Sequence, residues 1–125
     1  MKITEGIHWV LTCTPNFEQT LALFRDVLGL AVRNQTPEFV VFGEAGAPAL
    51  GLGTHSEVRG RNPDPARHMV GLLTSDVAAD WKRLKAAGVE FVEDPKDYGN
   101  LWIATLKDPE GNLVQLLQFK EASRP

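Results

Sequence analysis

The chain carries one cysteine, Cys13, in 125 residues. A lone thiol excludes an internal disulfide framework and fits a reducing, cytoplasmic setting. Basic residues are not in excess: 13 Lys and Arg against 16 Asp and Glu give a net charge of −3. Without a basic stripe, nucleic acid is not an expected partner. No apolar run is long enough to cross a bilayer, so no membrane partner is expected either. The first six residues lack the apolar core of a secretory signal. There is no glycine-rich phosphate loop, nucleophile elbow or zinc-finger spacing. A chain of this length buries roughly two-thirds of its unfolded surface, so it needs neither disulfides nor a structural metal to fold.

What is present is organised around D-P-E-G-N, Asp108 to Asn112. Pro109 presets φ for a turn, and Gly111 accepts a positive φ at its exit. Apolar runs flank it, Leu101 to Leu106 and Leu113 to Phe119, so the segment reads as a β-hairpin with Gln115 inside its second strand.

From the N-terminus, Ile7 to Thr14 reads as a strand. Asn16 and Gln19 resemble a capping box for a helix whose apolar face is Phe17, Leu21, Phe24 and Leu28 and whose end is Gly29. Short strands follow at Leu30 to Arg33, Phe39 to Phe42 and Ala49 to Gly53. The polar, proline-rich stretch 55–67 reads as a linker. The same order then returns: strand His68 to Thr74, a helix capped by Asp76 with Val77, Trp81 and Leu84 on its face, Gly88, strand Val89 to Val92, a loop from Glu93 to Asn100, and the hairpin. His8 and His68, Asn16 and Asp76, Phe17 and Val77, Leu21 and Trp81, and Phe24 and Leu84 all match at an offset of 60 residues. The chain therefore reads as α+β, a duplicated βαβββ unit, with modules at 3–54 and 68–120. A single unit leaves a sheet face bare, so the two are expected to close around a shared cleft.

Three stretches carry a family resemblance: P-N-F-E-Q-T-L-A-L-F-R-D-V-L-G-L (15–30), G-V-E-F-V-E-D-P (88–95) and D-P-E-G-N-L-V-Q-L-L-Q (108–118). Together they resemble the vicinal oxygen chelate superfamily, which includes glyoxalase I, extradiol dioxygenases and the fosfomycin- and bleomycin-resistance proteins. The resemblance implies cupped mixed sheets with helices outside, a ligand held inside the cup, and a homodimer. It also implies, for the metal-using members, ligands on the first and last strands of each module. Counting from the helix-opening residues places those positions at Trp9 and Met69, and the apolar-X-apolar triplets place the others at Gly51 and Gln115. Of these four, Gln115 alone offers an oxygen, and it is neutral. Divalent sites rely on imidazole nitrogen and carboxylate charge, so no metal or other cofactor is expected.

His8 and His68 lie one residue before the first-strand positions. One residue reverses the face of a strand, so regular strands turn both imidazoles away from the cup. A bulge in each strand would turn them in. His8, His68 and Gln115 would then form a divalent-metal site of a glyoxalase-type lyase or extradiol-type dioxygenase, for which the sequence identifies no general base, so that Glu44 or Glu57 would have to move in. The leading expectation is a metal-free binder of a small apolar or aromatic molecule, lined by Trp9, Gly51, Met69 and Trp102. Gln115 donates or accepts one hydrogen bond there, and Tyr98 and Asn100 stand at the rim. Leu11, Phe39 and Leu73 are further candidates for the wall, against plain core packing. Gly51 and Gly53 either open room for a ligand or mark a tight twist. Cys13 is expected to be buried and inert, His55 to be solvated, and Arg59, Arg61 and Arg67 to form a solvated face. A third reading is a silent module whose cup is filled by its own side chains.

Overall fold

A computed structural model describes residues 7–121. The expected module start at Ile3 and the first six residues lie outside that range. The chain is α+β, and it divides into two compact units at Gly60/Arg61, inside the stretch read as a linker. Each unit holds one four-stranded mixed sheet and one helix packed on it, and the second also has a short 3-10 turn at Pro65–Arg67, inside the stretch read as a linker.

In the first unit, β1 (Trp9–Cys13), α1 (Phe17–Leu21), a π-helical continuation (Ala22–Val27), β2 (Val32–Thr36), β3 (Phe39–Phe42) and β4 (Ala49–Gly53) follow in order. The sheet runs β1-β4-β3-β2, with β1 and β4 parallel and the other pairs antiparallel. Val40, Phe42 and Leu52 are buried on the face that carries the helix, where the Phe24 and Phe42 rings lie 6.0 Å apart. The helix follows the expected stripe through Phe17, Leu21 and Phe24, then widens: the Leu28 N–H bonds to the Leu23 carbonyl at 2.8 Å, five residues back. That wider turn brings Leu23 into the core as well.

The second unit repeats the plan with β5 (Val70–Leu73), α2 (Val77–Ala86), β6 (Phe91–Asp97), β7 (Leu101–Lys107) and β8 (Leu113–Phe119), in the order β5-β8-β7-β6. The helix ends in a Schellman motif, with Val89 N–H on the Leu84 carbonyl and Gly88 N–H on that of Lys85, both at 3.0 Å. The duplication extends to hydrogen bonds. Thr14 Oγ1 accepts the Asn16 N–H and Thr74 Oγ1 accepts the Asp76 N–H, sixty residues on. Thr14 Oγ1 also lies 3.4 Å from Thr20 Oγ1, and Thr74 Oγ1 donates to the matching Asp80.

Three expectations are corrected. Asn16 precedes the first helix but its side chain makes no cap hydrogen bond; Asp76 does cap α2, accepting the Ala79 N–H at 3.0 Å, although the same threonine contact is present at both turns. The second strand lies at Val32–Thr36 rather than Leu30 to Arg33, with a register shift between Val32 and Asn34. The segment Glu93 to Asn100 is mostly strand. β6 runs to Asp97 with irregular register on both sides of Glu93. It is an edge strand, where Pro95 needs no ladder partner and a bulge is tolerated.

The D-P-E-G-N turn is held by Asp108, itself buried. Its carboxylate accepts the Glu110 N–H at 2.9 Å, the Asn112 N–H at 2.8 Å and the Asn112 side-chain amide at 3.0 Å. Gly111 has φ +82, and a Cβ there would lie 2.4 Å from the Arg61 guanidinium, which covers the turn. Asn62 donates to the Asn112 side chain at 2.9 Å, so residues 61–62 dock on the hairpin within the second unit. Asp108→Ala is expected to cost about 3 kcal/mol in urea unfolding, since it leaves two turn N–H groups without a charged acceptor. Gly111→Ala is expected to cost about 1–2 kcal/mol, from the left-handed backbone alone.

Candidate functional site: the helix-free faces of the two sheets

Cross-strand partners share a face, so the registers decide which side chains stand opposite the helices. In the first unit, pairing of Leu11 with Gly51, and of Phe39 with Gly53, defines the helix-free face. Trp9 belongs to it: its ring lies 5.5 Å from that of Phe39. Trp9 and Leu11 are 43% and 46% exposed. A Cβ on Gly51 would meet Leu11 Cδ1 at 3.1 Å and Phe39 Cζ at 3.4 Å, and one on Gly53 would meet Phe39 at 2.7 Å. The room the glycines leave is therefore taken by Leu11 and Phe39. Gly51 is buried beneath an aromatic wall rather than open. Cys13, opposite Gly53, is half-buried rather than buried, because it ends the edge strand.

In the second unit, α2 identifies its own face: the Val77 N–H donates to the Gln118 side-chain oxygen at 2.8 Å. Gln118, Leu116 and Val114 therefore point to the helix, and Gln115 and Leu117 point away. Gln115 pairs with Gly71 on one side and Thr105 on the other, and Thr105 pairs with Glu93. Gly71, Gln115, Thr105 and Glu93 thus form one row across all four strands, free of the helix. Leu73, Leu117 and Ile103 flank it on the same face, with Leu73 55% exposed. His68 and Met69 precede β5. The backbone at His68 is extended, φ −137 and ψ 121, so alternation continues and Met69 shares the face of Gly71.

The row is polar, and reading 93–100 as a loop hides it, because Glu93 lies on β6. Glu93 is half-buried, and its Oε1 accepts the Tyr98 hydroxyl at 2.5 Å. That bond, with some burial and the nearby carboxylate charge, raises the Tyr98 phenol above its ordinary range. Lys96, opposite Ile103, places its ammonium 5.1 Å from the Tyr98 ring centroid. Thr105 is buried, and neither its hydroxyl nor the Gln115 amide is hydrogen-bonded to another described residue. The segment E-F-V-E-D-P-K-D carries no simple alternation that would show the place of Glu93, because the register shifts on both sides of it.

Two expected members of the site stand elsewhere. Trp102 pairs with Gln118, so it is on the helix side of the second sheet, opposite to Gln115. There the Lys120 ammonium lies 6.0 Å from its ring and 2.8 Å from Asp97. Hydrogen bonding to Lys120, and to the Gly99 N–H, holds the Asp97 carboxyl below its usual range. Asn100 sits in the turn joining β6 and β7, where its carbonyl accepts the Lys120 N–H at 3.0 Å.

The imidazoles do not turn through a strand bulge. Pairing is regular from Trp9 to Cys13 and from Val70 to Leu73. His8 is exposed with its ring 5.2 Å from that of Trp9, and His68, also exposed, has the opposite parity to Gln115. Glu44 and Glu57 are exposed as well. Among the described residues no group of three or more His, Cys, Asp or Glu side chains can hold a metal ion. Nor is any described helix long and apolar enough to cross a membrane. His55 is exposed, and its Nδ1 accepts the Glu57 N–H at 3.1 Å.

Tyr98 is the only tyrosine in the sequence, so phenolate absorbance reports it alone. Its ionisation midpoint is expected above that of a free tyrosine and to fall in Glu93→Gln, which lacks the carboxylate that favours the protonated phenol. The Tyr98–Glu93 contribution to stability is present below the ordinary phenol pKa and is lost as pH rises through the folded one. An unchanged midpoint in Glu93→Gln would show that the bond does not persist in solution.

Comparison with known proteins places this geometry. Residues 6–116 match the model of the Glyoxalase/Bleomycin resistance protein/Dioxygenase superfamily. An uncharacterised protein of Mycolicibacterium smegmatis is 26% identical over 106 residues, 85% of this chain and 87% of that protein. Among solved structures, TnmS3, an antibiotic binding protein from Streptomyces sp. CB03234, superposes with a TM-score of 0.75. It is 22% identical, over 96% of this chain and 100% of that one. A lactoylglutathione lyase from Agrobacterium tumefaciens superposes with a TM-score of 0.69 at 23% identity, over 94% and 96%. At those identities the likeness is one of fold, and the fold serves both a binder and a lyase.

Proposed function

The chain belongs to the glyoxalase/bleomycin resistance protein/dioxygenase superfamily, and we propose that it acts there as a metal-free binder of a small apolar or aromatic molecule. The observation that carries this reading is the character of the helix-free faces. Trp9 and Leu11 in one unit, and Met69 and Leu73 in the other, are each between 43% and 55% exposed. Large apolar side chains left in water on a face rather than scattered singly mark a binding surface. Apolar walls with few polar groups are what small-ligand sites present. TnmS3, which shares the fold, is an antibiotic binding protein, and that precedent supports a binding role.

The chemistry of the donor set supports the metal-free part. The positions where metal-using relatives are expected to carry ligands are Trp9, Gly51, Met69 and Gln115. An indole, a hydrogen, a thioether and one neutral amide do not fit a hard divalent cation, which needs several charged or imidazole donors. No reaction step is therefore assigned to a metal.

Three tryptophans are present, and two are on helix sides: Trp102 as above, and Trp81 on α2, donating to Asp94 at 3.0 Å. A Trp81→Phe/Trp102→Phe variant leaves Trp9 as the single reporter. Its emission is expected to change saturably with 1-methoxynaphthalene or a similar apolar aromatic, and the response is expected to vanish when Trp9→Phe is added. No saturable response to any member of such a panel would overturn the reading. So would a stoichiometric transition metal in native protein that is lost in His8→Ala/His68→Ala.

A further inference from the structure

We infer that the polar row of the second sheet, Glu93–Thr105–Gln115, is a hydrogen-bond station that selects ligands carrying an O–H or N–H donor on an apolar ring. The inference rests on the binding role proposed above and names the chemistry that the site prefers.

Three observations carry it. The three side chains are consecutive cross-strand partners on one face, in a row that ends at Gly71, over which the Leu117 side chain leans. Their spacing is therefore that of neighbouring strands, roughly 5 Å from one to the next. Thr105 is 7% exposed as a residue, its hydroxyl makes no hydrogen bond to another described residue, and its oxygen is not one of the fully buried atoms, so it stays within reach of a ligand. Glu93 has one oxygen fixed by Tyr98, while Oε2 makes no hydrogen bond to a described residue. Tyr98 thus orients the carboxylate and leaves one oxygen open as an acceptor.

The balance of charge selects the ligand. A carboxylate takes a donor strongly and repels a carboxylate or phosphate. Lys96 stands on the same face with its ammonium over the Tyr98 ring, so the row carries no net negative charge that would favour cations as such. What remains is a preference for a neutral molecule with a hydroxyl or N–H at one end and an apolar ring. Leu73, Leu117 and Ile103 flank the row and supply the apolar contact. Gln115, with both a donor and an acceptor, fits a second polar substituent about two strand spacings from the first.

The test uses three probes with one ring: 1-naphthol, 1-methoxynaphthalene and 1-naphthoate, titrated calorimetrically into the full chain. 1-Naphthol is expected to bind at least about 10-fold more tightly than 1-methoxynaphthalene, the worth of a hydrogen bond to a charged acceptor, and 1-naphthoate to bind weakest. In Glu93→Gln the naphthol preference is expected to fall to within about 2-fold, and a far-UV circular dichroism spectrum and urea midpoint close to those of the wild-type chain show that the variant is folded. Tyr98→Phe is expected to reduce the preference in part, because the carboxylate loses its orienting bond. Equal binding of naphthol and methoxynaphthalene by the wild-type chain, or a preference that survives Glu93→Gln, overturns the inference while the binding role stands. Binding of none of the three overturns the binding role and the inference with it.

Discussion

The two-residue period of a β-strand is the constraint on which the site depends. Along β8, Val114, Leu116 and Gln118 face α2, and Gln115 and Leu117 face away, and no rotamer change moves a residue from one set to the other. The Gln118 amide accepting the Val77 N–H anchors that parity to the helix. From it the faces of β5, β7 and β6 follow through the pairing, and with them the row that joins Gly71, Gln115, Thr105 and Glu93. In the first unit the Phe24–Phe42 contact plays the same part, fixing Phe42, Val40 and Leu52 toward the helix and Phe39, Gly51 and Leu11 away from it.

Much of the fold was legible because several independent signals coincide at the 60-residue offset. Apolar stripes of both helices and the residues opening them match at that offset, glycines follow both after a one-residue slip, and the hydrogen bonds of Thr14 and Thr74 repeat with them. The hairpin was readable from D-P-E-G-N for a reason beyond turn propensity. Asp108 collects three donors of its own turn, so those five residues specify their geometry with little help from elsewhere. Strict counting also placed Trp9 and Gln115 on helix-free faces, since β1 and β8 are regular.

What was not legible depends on contacts between distant residues. Trp102 follows a polar loop in the sequence, but its face is set by pairing with Gln118, sixteen positions later, and counting within β7 alone does not supply that partner. Gly51 reads as an opening until Phe39 is placed over it. Asn16 has the right residue type for a cap, yet of the two matched positions only Asp76 closes one. Glu93 was hidden because Pro95 reads as a strand breaker. On an edge strand a proline costs no ladder bond, and the irregular register around Glu93 upsets simple alternation.

The location of charge on the second sheet separates the chemistry this chain can do from that of an ion site. A divalent cation gathers its donors at about 2–2.5 Å from one point, which needs side chains converging from several strands. Here the central strand offers a neutral amide at Gln115, the next a hydroxyl at Thr105, and the one carboxylate of the row stands on the edge strand, held there by Tyr98. Side chains rising from a sheet keep the separation of their strands, so these groups are spaced like substituents around a ring system and not like ligands around a metal. An organic molecule lying flat on Leu73 and Leu117 meets them one at a time. Glycine at 71 suits the row for a packing reason: a Cβ there would lie 3.0 Å from Leu117 Cδ1, and the leucine would be pushed out of its place beside Gln115.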